Sequence, residues 1–161
     1  MNYVYKSEFD IVIEIHSSII KNIQAECTKS KNYETGGILI GKYLSNGKIA
    51  IISDYIKAPK DSKREMYTFY RGILGLETVI DKFWKSKKYY LGEWHYHPNS
   101  SPEPSFIDIK QMKEISKNKD VHCPEPILLI IGGNNDTGWQ YSLNVVKDSQ
   151  IIKFMKTKNH I

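Results

Sequence analysis

Cysteine is scarce in this chain: Cys27 and Cys123 are the only two in 161 residues. They stand far apart and in no paired-ligand spacing, which fits a reducing compartment. Long apolar runs are missing too. No stretch approaches the ~20 residues of a membrane span. The opening "MNYVYKSEFD" carries both signs of charge where a secretory leader is apolar. A cytoplasmic protein with no membrane partner is the expectation. Charge is not concentrated anywhere. The net charge is +5, yet lysines such as Lys21, Lys57, Lys85 and Lys113 are spread along the chain. A nucleic-acid groove gathers its charge and interleaves it with aromatics. The lysines therefore read as a solvated surface, and no nucleic-acid partner is expected. No repeat, low-complexity tract or linker divides the chain, so one domain over residues 1–161 is expected. A chain of this length buries roughly two thirds of its unfolded surface without a disulfide framework.

What is present is periodic hydrophobicity. "FDIVIEI" (9–15) reads as a strand, and Ser17 or Ser18 caps a helix over 17–29, with Ile19, Ile20, Ile23 and Cys27 or Ala25 at roughly helical spacing. "YETGGILIGKYL" reads as a strand that begins at a diglycine, "SNGK" as a hairpin turn and "IAIISDYIKA" as the returning strand. Residues 59–72 are polar and aperiodic, a loop with a short strand near "MYTFY". A second helix follows in "LGLETVIDKFWKSKK", with Leu74, Val79, Phe83 and Trp84 broadly on one side. "YYLGEWHYH" is a strand stopped by Pro98, and "SFIDIKQMKEISKNK" a helix buried through Ile107, Met112 and Ile115. "PILLIIGG" is an apolar strand of the central kind, paired across "GNND" with "WQYSLNVV". The tail from Asp148 onward is weakly patterned. This order predicts a mixed α/β fold: one central, mostly antiparallel or mixed sheet flanked by helices.

The chemistry gathers in "GEWHYHPNSSPEPSFID" (92–108). On a strand, Glu93, His95 and His97 share one face, and Gly92, Trp94 and Tyr96 the other. Two imidazoles at i and i+2 can converge on one ion. Asp108, at the opening of the next helix, can close a three-ligand site. Two histidines and a carboxylate around Zn²⁺ leave the fourth position to water. Each half also has a plain structural reading. Histidines in a strand are often only packed or hydrogen-bonded. Ser105-Phe106-Ile107-Asp108 is also a capping box. A hydrolytic site needs a base as well, and Glu93 and Glu34 are the candidates. Glu34 precedes Gly36-Gly37, a pair that permits close backbone approach or unusual dihedrals. His16, His122 and His160 have no partner at ligand spacing and read as surface or loop residues.

Taken together, Glu34-Thr35-Gly36-Gly37, His95-x-His97-Pro98 and, after seven residues, Ser105-x-x-Asp108 resemble the signature of the JAMM (JAB, MPN-plus) metalloproteases. The similarity covers about residues 20–140. The wording is closest to the prokaryotic JAB branch, which includes deconjugating proteases of CBASS-type anti-phage operons. The resemblance implies a JAB/MPN (cytidine-deaminase-like) fold and one Zn²⁺ per chain held by His95, His97 and Asp108. It implies that Glu34 serves as general base and then acid, and that Ser105 donates to the oxyanion. It implies cleavage after the extended C-terminal tail of a ubiquitin-like or conjugated protein, with E1- and E2-like enzymes as operon partners. The segment that grips ubiquitin in eukaryotic relatives is short here, about 59–72, where Arg64, Tyr67 and Arg71 are candidate contacts. Glu93 keeps two readings, an orienting partner of a histidine or a surface acid. Rival readings are a non-catalytic MPN scaffold and a JAB enzyme processing a sulfur-carrier protein. A zinc deaminase is disfavoured, because the Pro-Cys-x-x-Cys it needs is absent.

Overall fold

The computed structural model describes residues 1–157, so His160 lies outside the described residues. Along the chain run β1 (Asn2–Lys6), β2 (Val12–His16), α1 (Ser17–Ser30), β3 (Thr35–Leu44), β4 (Ile49–Lys57), β5 (Lys63–Arg64) and β6 (Phe69–Tyr70). Then follow α2 (Leu76–Lys85), β7 (Tyr89–Pro98), α3 (Phe106–Lys117), β8 (Ile127–Asn134), β9 (Gly138–Lys147) and β10 (Gln150–Lys156).

The expected mixed α/β character holds, but the sheet is not an open one flanked by helices. Eight strands close into a barrel in the order β1-β10-β9-β8-β7-β3-β4-β2. Among the described residues only β2/β4 and β7/β8 pair in parallel. Two strands that the pattern does not announce close it. β1 pairs with β2 from Asn2↔His16 to Lys6↔Val12, and meets β10 at Tyr5↔Lys156 and Lys6↔Met155. β10 turns back on β9 through Asp148 and Ser149, both at positive φ (49° and 63°), which suits a tight hairpin. Each of these strands fully buries one residue, Tyr5 in β1 and Phe154 in β10, so neither shows a two-residue period.

The inward faces pack with α1. Ile19, Ile20, Ile23 and Cys27 of the helix form one core with Ile13, Leu39, Ile52, Trp94, Leu129 and Leu143. His16 caps α1, rather than Ser17 or Ser18: its backbone is extended and its Nδ1 accepts the Ser18 N–H at 3.3 Å. Outside the barrel, α2 covers Ile38 and Ile40 of β3 with Leu76, Ile80 and Phe83. That is the true buried stripe. Leu74 precedes the helix, and both it and Trp84 are exposed. α3 covers Leu128, Ile130 and Val146 with Met112. No helix among the described residues is long and apolar enough to cross a membrane.

A bulge in β7 orients the site. Opposite β3, the pairing steps from Leu39↔Gly92 to Ile40↔Tyr90, so Leu91 is an extra residue. Gly92 sits at φ 153°, and a Cβ there would stand 1.9 Å from the Ile127 carbonyl oxygen. Beyond the bulge, Trp94 and Tyr96 join Leu91 in the barrel core. The other face presents Tyr90, Glu93, His95 and His97.

Candidate active site

His95, His97 and Asp108 are brought together and buried. His95 Nδ1 lies 2.7 Å from Asp108 Oδ1, and His97 Nε2 lies 3.2 Å from Asp108 Oδ2. Strand alternation aims both imidazoles outward, and the loop through Pro98 and Pro104 brings the start of α3 back over them. Ser105 is the N-cap. Its Oγ accepts the Asp108 N–H at 3.1 Å, while Asp108 Oδ2 accepts the Ser105 N–H at 2.7 Å. Capping and the convergence on the histidines are thus not rivals. A carboxylate has about four acceptor positions on two oxygens. Here Oδ1 meets His95, and Oδ2 serves both the cap and His97.

The diglycine works by close approach. A Cβ on Gly36 would stand 2.6 Å from the Phe69 ring, and one on Gly37 would stand 1.9 Å from the Ile56 carbonyl oxygen. Neither has positive φ. Phe69 in turn packs edge-on against His95, ring centres 5.5 Å apart. Nothing in the sequence pattern singled out Phe69.

Glu34 is half-buried at the start of β3. With His97, Ser105, Met66 and Tyr67 it lines a cleft of about 240 Å³. Burial raises the pKa of Glu34, and the Asp108 charge adds to this while the histidines offset part of it. Burial disfavours charge on His97, but the Asp108 and Glu34 carboxylates outweigh it and raise its pKa. Asp108 is also desolvated, yet its hydrogen bonds to both histidines and to the Ser105 N–H hold it well below the usual carboxylate range.

Glu93 is not a surface acid. It is 2 % exposed and shares the outer face with the histidines, but its bonds lead elsewhere. Arg71 Nε donates to both its oxygens, at 3.0 and 2.8 Å, and the Tyr90 hydroxyl donates at 2.8 Å. Arg71 was a candidate tail contact, and this ion pair engages it within the chain instead. Tyr67 remains free, 81 % exposed at the cleft rim, and Arg64 is exposed on β5. His16 and His122 are exposed.

No finished cage of three or more His, Cys, Asp or Glu donors is formed among the described residues. The donor types nonetheless suit a metal, since two imidazoles and a carboxylate are a ligand set that zinc takes with one position left open. The separations, 2.7 and 3.2 Å to two different Asp108 oxygens, are those of hydrogen bonds.

Comparison with known proteins places this geometry. The family described as prokaryotic homologs of the JAB domain matches residues 16–144, which include Glu34, His95, His97, Ser105 and Asp108. The chain belongs to the prokaryotic JAB family. This JAB chain is 44% identical over 132 residues to the CD-NTase/cGAS isopeptidase of Enterobacter hormaechei subsp. hoffmannii, covering 82% of the chain and 72% of that relative. It is 33% identical to the CD-NTase/cGAS isopeptidase of Escherichia coli, covering 83% of each. It is 26% identical to a probable metalloprotease of Sinorhizobium fredii, covering 76% of each. The JAB fold is seen again in the solution structure of a Desulfitobacterium hafniense protein: TM-score 0.65, 15% identity, 86% of this chain and 87% of that one.

Proposed function

We propose that this JAB protein is a zinc-dependent isopeptidase. It removes a ubiquitin-like modifier, or a similarly conjugated protein, from its target. The observation that carries the reading is the buried meeting of His95, His97 and Asp108 beside a cleft that Glu34 and Ser105 share. The names of its relatives support the activity and suggest a CD-NTase, a cGAS-like nucleotidyltransferase, as the conjugation target.

His95, His97 and Asp108 would hold the ion. Bound in such a set, zinc supplies Lewis acidity, polarising a carbonyl and bringing the pKa of a water down to about 7. Glu34, whose pKa burial raises above the ordinary carboxylate value, takes a proton from the attacking water and passes it to the leaving lysine amine. The Ser105 hydroxyl accepts the Asp108 N–H and keeps its own proton free, so it can donate to the oxyanion. Among the described residues the barrel strands are paired on both sides, and the β5–β6 ribbon offers the open edge to which an extended tail can add as a strand. Tyr67 and Met66 at the ribbon tip then flank the tail's last residues.

Metal analysis of the purified protein should find zinc near one per chain. Cleavage of a modifier–CD-NTase conjugate should stop with chelator and return with added zinc. Glu34→Ala should keep zinc and lose cleavage, and His97→Ala should lose zinc. A protein that binds no zinc, or that cleaves equally well in chelator, would sink the proposal. Near-native turnover in Glu34→Ala, with loss in Glu93→Ala, would assign the base wrongly.

A further inference from the structure

The segment between Pro59 and Gly72 is bonded to the rest of the chain far more than a solvated loop needs. β5 and β6 form a ribbon through Lys63↔Tyr70 and Arg64↔Phe69. Its open end is gathered by two side chains. Asp61 accepts the Ile73 and Leu74 N–H groups at 3.0 Å each, and Ser62 Oγ accepts the Gly72 N–H at 2.9 Å.

From there the ribbon bonds once to each part of the chain that carries the candidate site. The Glu34 N–H donates to the Glu65 carbonyl at 2.8 Å. Glu93, two residues before His95, holds Arg71 through both carboxylate oxygens. Gln111, three residues after Asp108, donates from Nε2 to the Phe69 carbonyl at 3.3 Å. Between these three points the Phe69 ring lies against His95.

The Arg71–Glu93 pair is the most costly of the three. The Glu93 side chain is 3 % exposed and that of Arg71 is 22 %. Such a pair loses hydration on both sides and adds little net stability over apolar residues of the same size. It does add direction. Arg71 Nε shares its N–H between both Glu93 oxygens while Nη1 donates to the Gly72 carbonyl at 3.0 Å, so the planar guanidinium is held at two places, and the Tyr90 hydroxyl holds one Glu93 oxygen.

We propose that the β5–β6 ribbon is a three-point clamp that sets where Glu34, His95 and Asp108 stand relative to one another, and that Arg71 and Glu93 are the positioning residues that lock it. The catalytic consequence rests on the function proposed above. The clamp itself is a property of the metal-free protein.

The test uses the full chain with three substitutions: Glu93→Gln, Arg71→Lys, and the double change Arg71→Met with Glu93→Leu. Zinc affinity is read by competition with a chromogenic chelator. Glu93→Gln should weaken it about tenfold and lower kcat to a similar extent, the low end of the range for a partner bonded directly to a ligand, because Glu93 acts through Arg71 and the ribbon. KM should rise too, but by less than kcat falls, because the loosened ribbon carries Met66 and Tyr67 at its tip. In metal-free protein, amides of residues 63–70 and of Glu34 should exchange with solvent about tenfold faster or more, while those of β8 and β9 keep their rates. Arg71→Lys should move every readout the same way by less. The double variant removes the buried charges, so its thermal midpoint should return toward the parent while its zinc affinity does not. That split separates positioning from plain stability, and it holds if a single variant fails to fold.

Parental zinc affinity and parental ribbon exchange in the double variant would overturn the clamp. So would a rise in KM at unchanged kcat, which would assign the pair to the substrate-gripping surface. If the parent protein itself binds no zinc, the proposed function fails, but exchange still decides. Unchanged rates at Glu34 and 63–70 in Glu93→Gln would then overturn the clamp on their own.

Discussion

β7 is buried on both faces, and the two faces are made of different matter. The inner one holds Leu91, Trp94 and Tyr96 against α1 and the barrel core. The outer one holds Tyr90, Glu93, His95 and His97, each bonded to a polar partner: the Arg71 guanidinium, the Asp108 carboxylate or another member of the face. Apolar burial is non-directional and repays roughly in proportion to area. Polar burial repays only where every group finds its partner. The inner face therefore makes the barrel stable, and the outer face spends some of that stability on geometry. A strand that needed only to fold would have no reason to bury two imidazoles and two carboxyl partners.

This contrast can be broken from either side. The largest effect should come from the inner face. Leu129→Ala, opposite Trp94 across β7/β8, should cost about 2–5 kcal/mol in chemical denaturation. Its turnover per folded molecule should change little. A Leu129→Ala protein of parental stability would contradict the division. Ser105→Ala should do the reverse. Cleavage should fall about 10²–10³-fold if the hydroxyl meets the oxyanion. Loss of the cap should cost only about 1 kcal/mol of stability. A stability loss with unchanged cleavage would leave Ser105 as a cap alone. In chemical denaturation Tyr90→Phe should cost about 1.5–3 kcal/mol, less than Leu129→Ala, since it removes one hydrogen bond to a buried charge and leaves the Arg71 pair.

The smallest effect should be a pH dependence of the metal-free protein. The His97 pKa is raised on folding, so its contribution is complete below the ordinary histidine range and is lost as pH rises through the folded value. The Asp108 pKa is lowered, so its contribution is present above the ordinary carboxylate range and is lost only in strong acid. Glu34, raised by burial, adds to the loss as pH climbs. Thermal midpoints of metal-free protein should therefore decline from mildly acidic to mildly alkaline pH, and zinc should flatten the decline. A midpoint that rose over that range would contradict the assigned sign.

Local spacing made the site legible. His95 and His97 at i and i+2 share a strand face whatever the rest of the fold does, and Ser105-x-x-Asp108 marks a helix start by its own chemistry. The barrel was less legible. β1 and β10 bury Tyr5 and Phe154 as single anchors, and their pairing joins residues about 150 apart, which no local period reports. The α2 stripe was misread because Leu74 and Trp84 extend the apolar spacing beyond the helix that packs. The Arg71–Glu93 pair was hidden for a similar reason. Either residue alone reads as an ordinary polar side chain, and only the fold shows that they meet.

The extra residue at Leu91 has a consequence for how this chain can change over generations. Leu91 and Gly92 both face inward, so losing one residue there joins Ile40↔Tyr90 directly to Leu39↔Gly92 and leaves Tyr90, Glu93 and the histidines facing outward. The loss is the buried Leu91 side chain and the local bend. A residue lost between Glu93 and His97 is different, because it turns every side chain on one side of it to the opposite face. Descendants of this sequence should accept a change of length at the bulge sooner than one between Glu93 and His97.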